Sequence, residues 1–263
     1  MSGFSAEWLA LREPADVAAR SEVVTAAVVS ALSGTMPVRV ADLGCGSGSN
    51  IRYLASRLPQ PQVWRLVDHD PELLAVARSR VPQAVDTRVA DLRALDASLI
   101  DGCTLVTASA LLDLVSDAWV RHFAALCRAA GAVVLVALNY DGRMTCTPAD
   151  ADDGFVRDLV NAHQRTDKGF GPALGPDSGP RTAQALADVG YHVVVDKSDW
   201  VIGPDQAELQ RQLIAGWADA AVELRPSEAE RVRAWQRRRL ACVDDGESTV
   251  QVGHDDVAGI PVR

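Results

Sequence analysis

Short apolar runs alternate with stretches of helical periodicity through the first half of the chain. The runs Val38 to Leu43 (VRVADL), Val63 to Val67 (VWRLV), Val85 to Val89 (VDTRV), Cys103 to Thr107 (CTLVT) and Val133 to Leu138 (VVLVAL) are mostly rich in Val and Leu and lack Pro. They read as strands, because a proline would remove a ladder donor. Between them, Asn50 to Arg57, Pro71 to Arg80 and Ala118 to Arg128 read as helices. The Pro71 helix is the best marked: Asp70 suits an N-cap, Pro71 the first helical position, and Glu72 the positive end of the helix dipole. Strand and helix in alternation predict an α/β fold, doubly wound around a mostly parallel sheet with helices on both faces.

The pattern loosens after the fifth run. Asn139 to Pro180 is heavy in Gly, Asp and Pro, with one helical piece near Asp152 to His163, and is expected to form a partly helical insertion over the site. A helix from Thr182 to Val189 ends at Gly190. Tyr191 to Ile202 predicts a sixth strand, helices follow near Asp205 to Leu224 and Ser227 to Val243, and Thr249 to Gly253 returns as a seventh strand.

Composition narrows the function. With 263 residues, 48% hydrophobic and 23% charged, there is material for a large core. A net charge of -9 repels polyanions, so nucleic acid is not expected as a partner. The one dense basic stretch, Arg231 to Arg239 (RVRAWQRRR), reads as a solvated helical face. Five cysteines without a C-x-x-C pair suggest reduced thiols and no metal site. The N-terminus lacks the basic start and apolar core of a signal peptide, so a cytoplasmic location is expected. Val23 to Leu32 and Ala129 to Leu138, the longest apolar runs, fall short of the ~20 residues that cross a bilayer, and no membrane association is expected.

The sharpest chemical signal is Val40 to Asn50, VADLGCGSGSN, where an apolar strand runs into an acid and a loop with glycines at 44, 46 and 48. Glycine admits backbone angles closed to other residues and lets the main chain approach a ligand. The loop reads G-x-G-x-G, not the G-x-G-x-x-G of dinucleotide sites. Asp42 stands where a pyrophosphate would lie, and an anion there disfavours phosphate but attracts a cation. Asp68 in LVDHDP and Asp91 in VADLRAL close the next two strands, which places all three acids along one sheet edge, where ligands of open α/β sheets bind. S-adenosylmethionine, a sulfonium with an ammonium group, suits such an edge. Asp68 is placed for both ribose hydroxyls, and Asp91 with the Leu92 backbone for the adenine edge.

Through DLGCGSGS, LVDHDPELL, VADL and TASALLDLV, the chain resembles the class I S-adenosylmethionine-dependent methyltransferases of small-molecule type, over roughly Val38 to Leu138. The resemblance implies a seven-stranded sheet with one antiparallel strand, and cofactor roles for Asp42, Gly44, Cys45, Gly46, Asp68, His69, Asp91, Leu92 and Ser109. The length and pattern of the chain read as one domain over 1–263, with an N-terminal helical cap (1–36), a cofactor-binding half (37–138), a substrate-side insertion (139–180) and C-terminal strands and helices (181–263). Asp113 stands where many relatives carry a histidine, so a histidine base is not assumed there.

Residues facing the methyl acceptor are harder to place, because the sulfonium already activates the methyl group and the protein mainly aligns the nucleophile. His163, Asp113 and Tyr140 are the catalytic candidates. Asn139 and Asp141 follow the fifth strand beside Tyr140, and Trp8, Arg12 and Arg20 would cap the acceptor or simply pack a helix on the domain. Arg12 with Lys168 would suit an anionic substrate, and Trp200 and His254 are further pocket or core candidates. The expected partner is a small-molecule substrate, on a monomer or homodimer. A nicotinamide-dependent oxidoreductase and a cofactor-binding protein without turnover remain as alternatives.

Overall fold

The structure, a computed structural model, describes residues 5–82 and 84–262. Two helices, α1 (Ala6–Ala19) and α2 (Glu22–Ala31), precede the sheet. Ser5 and Ser21 cap them, each accepting the N–H three residues on. The alternating half follows: β1 (Val38–Leu43), α3 (Ser49–Leu54), β2 (Gln62–Asp68), α4 (Pro71–Arg80), β3 (Val85–Val89), β4 (Leu105–Ser109), α5 (Asp117–Ala130) and β5 (Val133–Thr147). The Asp70 carboxylate caps α4 through the N–H groups of Glu72 and Leu73, as its sequence predicts. The chain continues through α6 (Asp153–Gln164), α7 (Ser178–Asp188), β6 (Tyr191–Lys197), β7 (Trp200–Ile202), α8 (Ala207–Leu224), α9 (Ala229–Asp244) and β8 (Thr249–Pro261).

The strand order is β3-β2-β1-β4-β5-β8-β6, with the short β7 pairing on β8. Neighbours from β3 to β5 are parallel, and β8 runs antiparallel to β5, β6 and β7. The chain winds outward from β1 through β2 to β3, then restarts at β4 on the other side. The switch therefore lies between the carboxyl ends of β1 and β4, the position at which open α/β sheets form their ligand crevice. Apolar residues pack on both faces: Trp119, Phe123 and Leu186 on one, Ile51, Trp64 and Leu74 on the other.

Three expectations change. The fifth strand does not stop at Leu138 but runs to Thr147, and its partner spans Thr249–Pro261, so the two rise together beyond the sheet's carboxyl edge. Asn139, Tyr140 and Asp141 are thus strand residues and not the start of a loop. Their polar side chains look like loop residues in isolation, but Asn139 Nδ2 donates to the Asp255 carbonyl at 2.8 Å and Asp141 accepts from Arg143 and Lys197. The expected sixth strand is two strands, β6 and β7, giving eight among the described residues. The chain breaks at Ser198 and Asp199, where Ser198 N–H bonds the His254 carbonyl and Asp199 pairs with Arg143. The basic stretch of α9 is not simply solvated: Arg239 is buried and bonds Asp153 at 2.7 Å, while Arg231 and Arg238 grip Asp152 and Asp150.

Candidate functional site

The glycine loop turns at the carboxyl end of β1. Gly44, Gly46 and Gly48 all have positive φ (66°, 50° and 83°), which a side chain would strain. A Cβ on Gly46 would stand 3.1 Å from Leu9 Cδ1, so α1 lies directly over the loop. Gly48 is the N-cap of α3, and a Cβ there would meet Ala77 at 3.1 Å.

Asp42 is fully buried at this edge. Its Oδ1 accepts from Asn50 Nδ2 at 2.8 Å, and the same amide donates to Thr107 Oγ1 at 3.0 Å, so Asn50 bridges β1 and β4 at the switch point. Asp42 Oδ2 has no partner among the described residues. Burial pushes this carboxyl up to about 7; the Asn50 bond and the Arg20 charge oppose that rise, and Asp68 adds to it. A buried, half-satisfied carboxylate gains most from a cation.

Asp68 ends β2 and is 5% exposed. Its Oδ2 accepts from Gly46 N–H at 2.8 Å and its Oδ1 from Asp70 N–H at 3.0 Å, which fixes the carboxylate and leaves one lone pair on each oxygen. His69 Nδ1 lies 3.2 Å from Oδ1, on a mostly exposed ring. Asp91 is more open. It caps the turn Leu92–Ala94 through Arg93 N–H and pairs with the Arg93 side chain, which holds its carboxyl below the usual range. Leu92 is buried, and its carbonyl accepts from Trp119 Nε1 at 2.7 Å. The Cys45 thiol is buried beside Asp42 and Asp68, with its pKa raised mainly by burial, and Ser109 closes β4. Just beyond Ser109, Ala110 has φ 52°, and Leu138 in β5 has φ 55°. Two non-glycine residues in the left-handed region, one just past β4 and one where the pairing of β5 with β8 shifts register, are stored strain on adjacent strands. The buried Asp256 carboxylate secures the second by accepting Leu138 N–H at 2.8 Å.

A second polar group gathers where β5 and β8 rise past the edge. Asp113, on a 3-10 turn after β4, has a buried Oδ1 without a partner among the described residues; burial raises its carboxyl to about 6, and Arg12 pulls it back. Arg12 is held by Asp16 at 2.9 Å and lies 5.0 Å over the Trp200 ring. Trp200 packs on His254 at 5.1 Å, and Tyr140 on the same imidazole at 6.2 Å. His254 is buried, and burial with the nearby Arg12 charge lowers its pKa to about 3, so the ring stays neutral. Tyr140 Oη donates to Asn161 Oδ1 at 2.7 Å, and its hydroxyl titrates only in strong alkali.

His163 stands elsewhere. It lies in the last turn of α6, with Nδ1 3.2 Å from Lys168 Nζ and Nε2 3.4 Å from Glu223. Neither partner belongs to the group around Arg12 and Asp113. Lys168 likewise faces His163 and Thr166. Trp8 packs against the apolar cluster around Trp200.

Sequence reasoning passed over Asn50, Thr107 and Asp256, and gave Arg20 only a capping role. Asn50 closes the quoted glycine motif, so its position was the available signal. Thr107 and Asp256 sit in Val-rich strands and carry none.

With this geometry in hand, residues 40–131 match the family model of a methyltransferase domain. Trans-aconitate 2-methyltransferase of Mycobacterium ulcerans (strain Agy99) is 40% identical over 68 residues, 25% of this chain and 24% of the relative, and the enzyme of Mycobacterium marinum matches to the same extent. The chain thus spans about a quarter of the length of these curated relatives. A cyclopropane synthase from Mycobacterium tuberculosis superposes with TM-score 0.50 at 13% identity, over 97% of this chain and 94% of the other. A candidate methyltransferase from Bacillus halodurans C-125 gives 0.51 at 12% identity, over 90% and 99%. At such identities the likeness is one of fold.

Proposed function

We propose, from the match of residues 40–131 to a methyltransferase-domain family model, that the chain transfers the methyl group of S-adenosylmethionine to a small-molecule nucleophile. The observation that carries this reading is the pair of buried carboxylates, Asp42 and Asp68, on adjacent strands either side of a positive-φ glycine loop. That edge repels a diphosphate and suits a sulfonium nucleoside. Asp42 would face the ammonium group, the backbone from Gly44 to Gly46 the methionine chain, and Asp68 with His69 the ribose. Leu92 with Asp91 would border the adenine, with Cys45 and Ser109 completing the wall.

When bound, the cofactor supplies a methyl carbon already activated by positive sulfur. The residues around Arg12, Asp113, Tyr140 and His254 would then align the nucleophile, which gains the bond to that carbon as the carbon–sulfur bond breaks. A nucleophile that arrives protonated would lose its proton to Asp113, whose unpartnered oxygen suits a base. His163, held by Lys168 and Glu223, has no part in this alignment. Five free cysteines favour a reducing, cytoplasmic setting, and among the described residues no helix is long and apolar enough to cross a membrane.

Parallel titrations with S-adenosylhomocysteine and NADH test the reading. It requires that only the first raise the melting temperature, and that turnover on some acceptor release S-adenosylhomocysteine. Stabilisation by NADH alone would favour an oxidoreductase. Tight binding without turnover on any acceptor would favour a binding protein.

A further inference from the structure

The Arg20 guanidinium enters the sheet edge from the linker between α1 and α2, and its side chain is 3% exposed. Nη1 donates to Asn50 Oδ1 at 2.9 Å, and the other end of that amide holds Asp42 Oδ1. The ring of Tyr53 lies 4.5 Å beneath the guanidinium carbon. Asp256 is the nearest carboxylate, 3.4 Å from Nε, but it spends its oxygens on the N–H groups of Ser21 and Leu138. Arg20 Nε and Nη2 are consequently buried donors with no hydrogen-bond partner among the described residues.

Asp42 Oδ2 is likewise a buried acceptor without a partner among the described residues, one amide away. Unmet donors on a cation and an unmet acceptor on an acid, joined through one asparagine, are unfavourable to bury without a partner. They are the complement of an α-amino acid, whose carboxylate would satisfy the cation and whose ammonium would satisfy the acid. The arginine is also fixed to the part of the chain that covers the loop, because Leu9 of α1 packs on Gly46.

Building on the function proposed above, we propose that Arg20 is a ligand residue of the cofactor site, binding the α-carboxylate of its methionine moiety while Asn50 holds Asp42 for the α-ammonium. The N-terminal segment then does more than roof the acceptor pocket: it carries one of the two charges that select an amino-acid-bearing nucleoside over a plain one.

Calorimetric titration of the full chain with three probes tests this: S-adenosylhomocysteine, its decarboxylated analogue, and 5′-methylthioadenosine, which lacks the amino-acid arm. Arg20→Met should weaken S-adenosylhomocysteine by roughly 10- to 100-fold and the other two by less than about threefold, with Arg20→Lys in between. Wild type alone should prefer S-adenosylhomocysteine to the decarboxylated analogue by a similar factor, which keeps the test decisive even if the methionine variant does not fold. An equal loss for all three probes in folded Arg20→Met protein, or a wild type indifferent to the carboxylate, overturns the role of Arg20. Failure of wild type to bind any of the three overturns instead the cofactor reading on which it rests.

Discussion

Glu13 of α1 and Arg52 of α3 meet in a two-pronged ion pair, Nε to Oε1 and Nη2 to Oε2 at 2.6 Å each, while Arg52 Nη1 donates to the Ser47 carbonyl at 2.8 Å. One guanidinium therefore ties the covering helix to the glycine loop. Together with Leu9 on Gly46, it makes access to the crevice depend on how firmly α1 is seated.

Releasing that tie should loosen the helix without dissolving the fold. Both side chains are about one-fifth exposed, so solvent screening limits the pair to about 1 kcal/mol. Glu13→Gln should raise amide exchange across Ala6–Ala19 and speed S-adenosylhomocysteine release severalfold, read by hydrogen exchange and stopped flow. Unchanged exchange in α1 would show that apolar packing alone holds it.

Asp42 should make the ligand-free protein less stable as pH rises. Its folded pKa, about 7, lies above the ordinary 3.8, so its neutral form fits the fold and stability is lost between about pH 4 and 7. Asp42→Asn keeps the shape without the charge. Its melting temperature should match wild type near pH 4 and exceed it at pH 8, by as much as about 4 kcal/mol of stability, while stabilisation by S-adenosylhomocysteine disappears. A constant gap across this range would contradict the burial of an ionisable acid.

Asp113→Asn should leave folding intact and slow turnover by about 10²- to 10⁴-fold on a nucleophile that needs deprotonation. Wild-type kcat should rise with pH through an apparent pKa near 6, following the raised carboxyl, and the variant should lose that limb. Equal kcat in both proteins would remove Asp113 from the chemistry.

His254 makes the opposite contribution. Its folded pKa of about 3 lies below the ordinary 6.5, so the neutral ring stabilises the fold above pH 6.5 and that stability drains away as pH falls toward 3. Replacing it with Phe, which can keep packing on Trp200 and Tyr140, should flatten the acid side of the stability curve. Denaturant melts at pH 7 and 4.5 measure the difference, and a variant as acid-labile as wild type would count against it.

Elements whose signals lie within a few residues of one another were legible in the chain. The helix from Pro71 to Arg80 and the strands Val38–Leu43 and Val85–Val89 have the bounds their sequences predict, because cap, first-turn proline and apolar alternation are all local. The acids after the first three strands were legible for the same reason. The reach of β5 to Thr147 was not, since Asn139, Asp141 and Arg143 look like loop residues until Asp255, Lys197 and Asp199 arrive from more than fifty residues away.

By itself, then, the sequence determined the alternating α/β order and the acid-flanked glycine loop, because propensity and spacing act over short stretches of chain. Only the tertiary structure decided that Arg20 meets Asn50, that Arg12 lies near both Asp113 and His254, and that His163 turns toward Glu223. Those pairings join residues 30 to more than 200 positions apart, and they are fixed by which faces the sheet and its covering helices bury together, which no local pattern encodes.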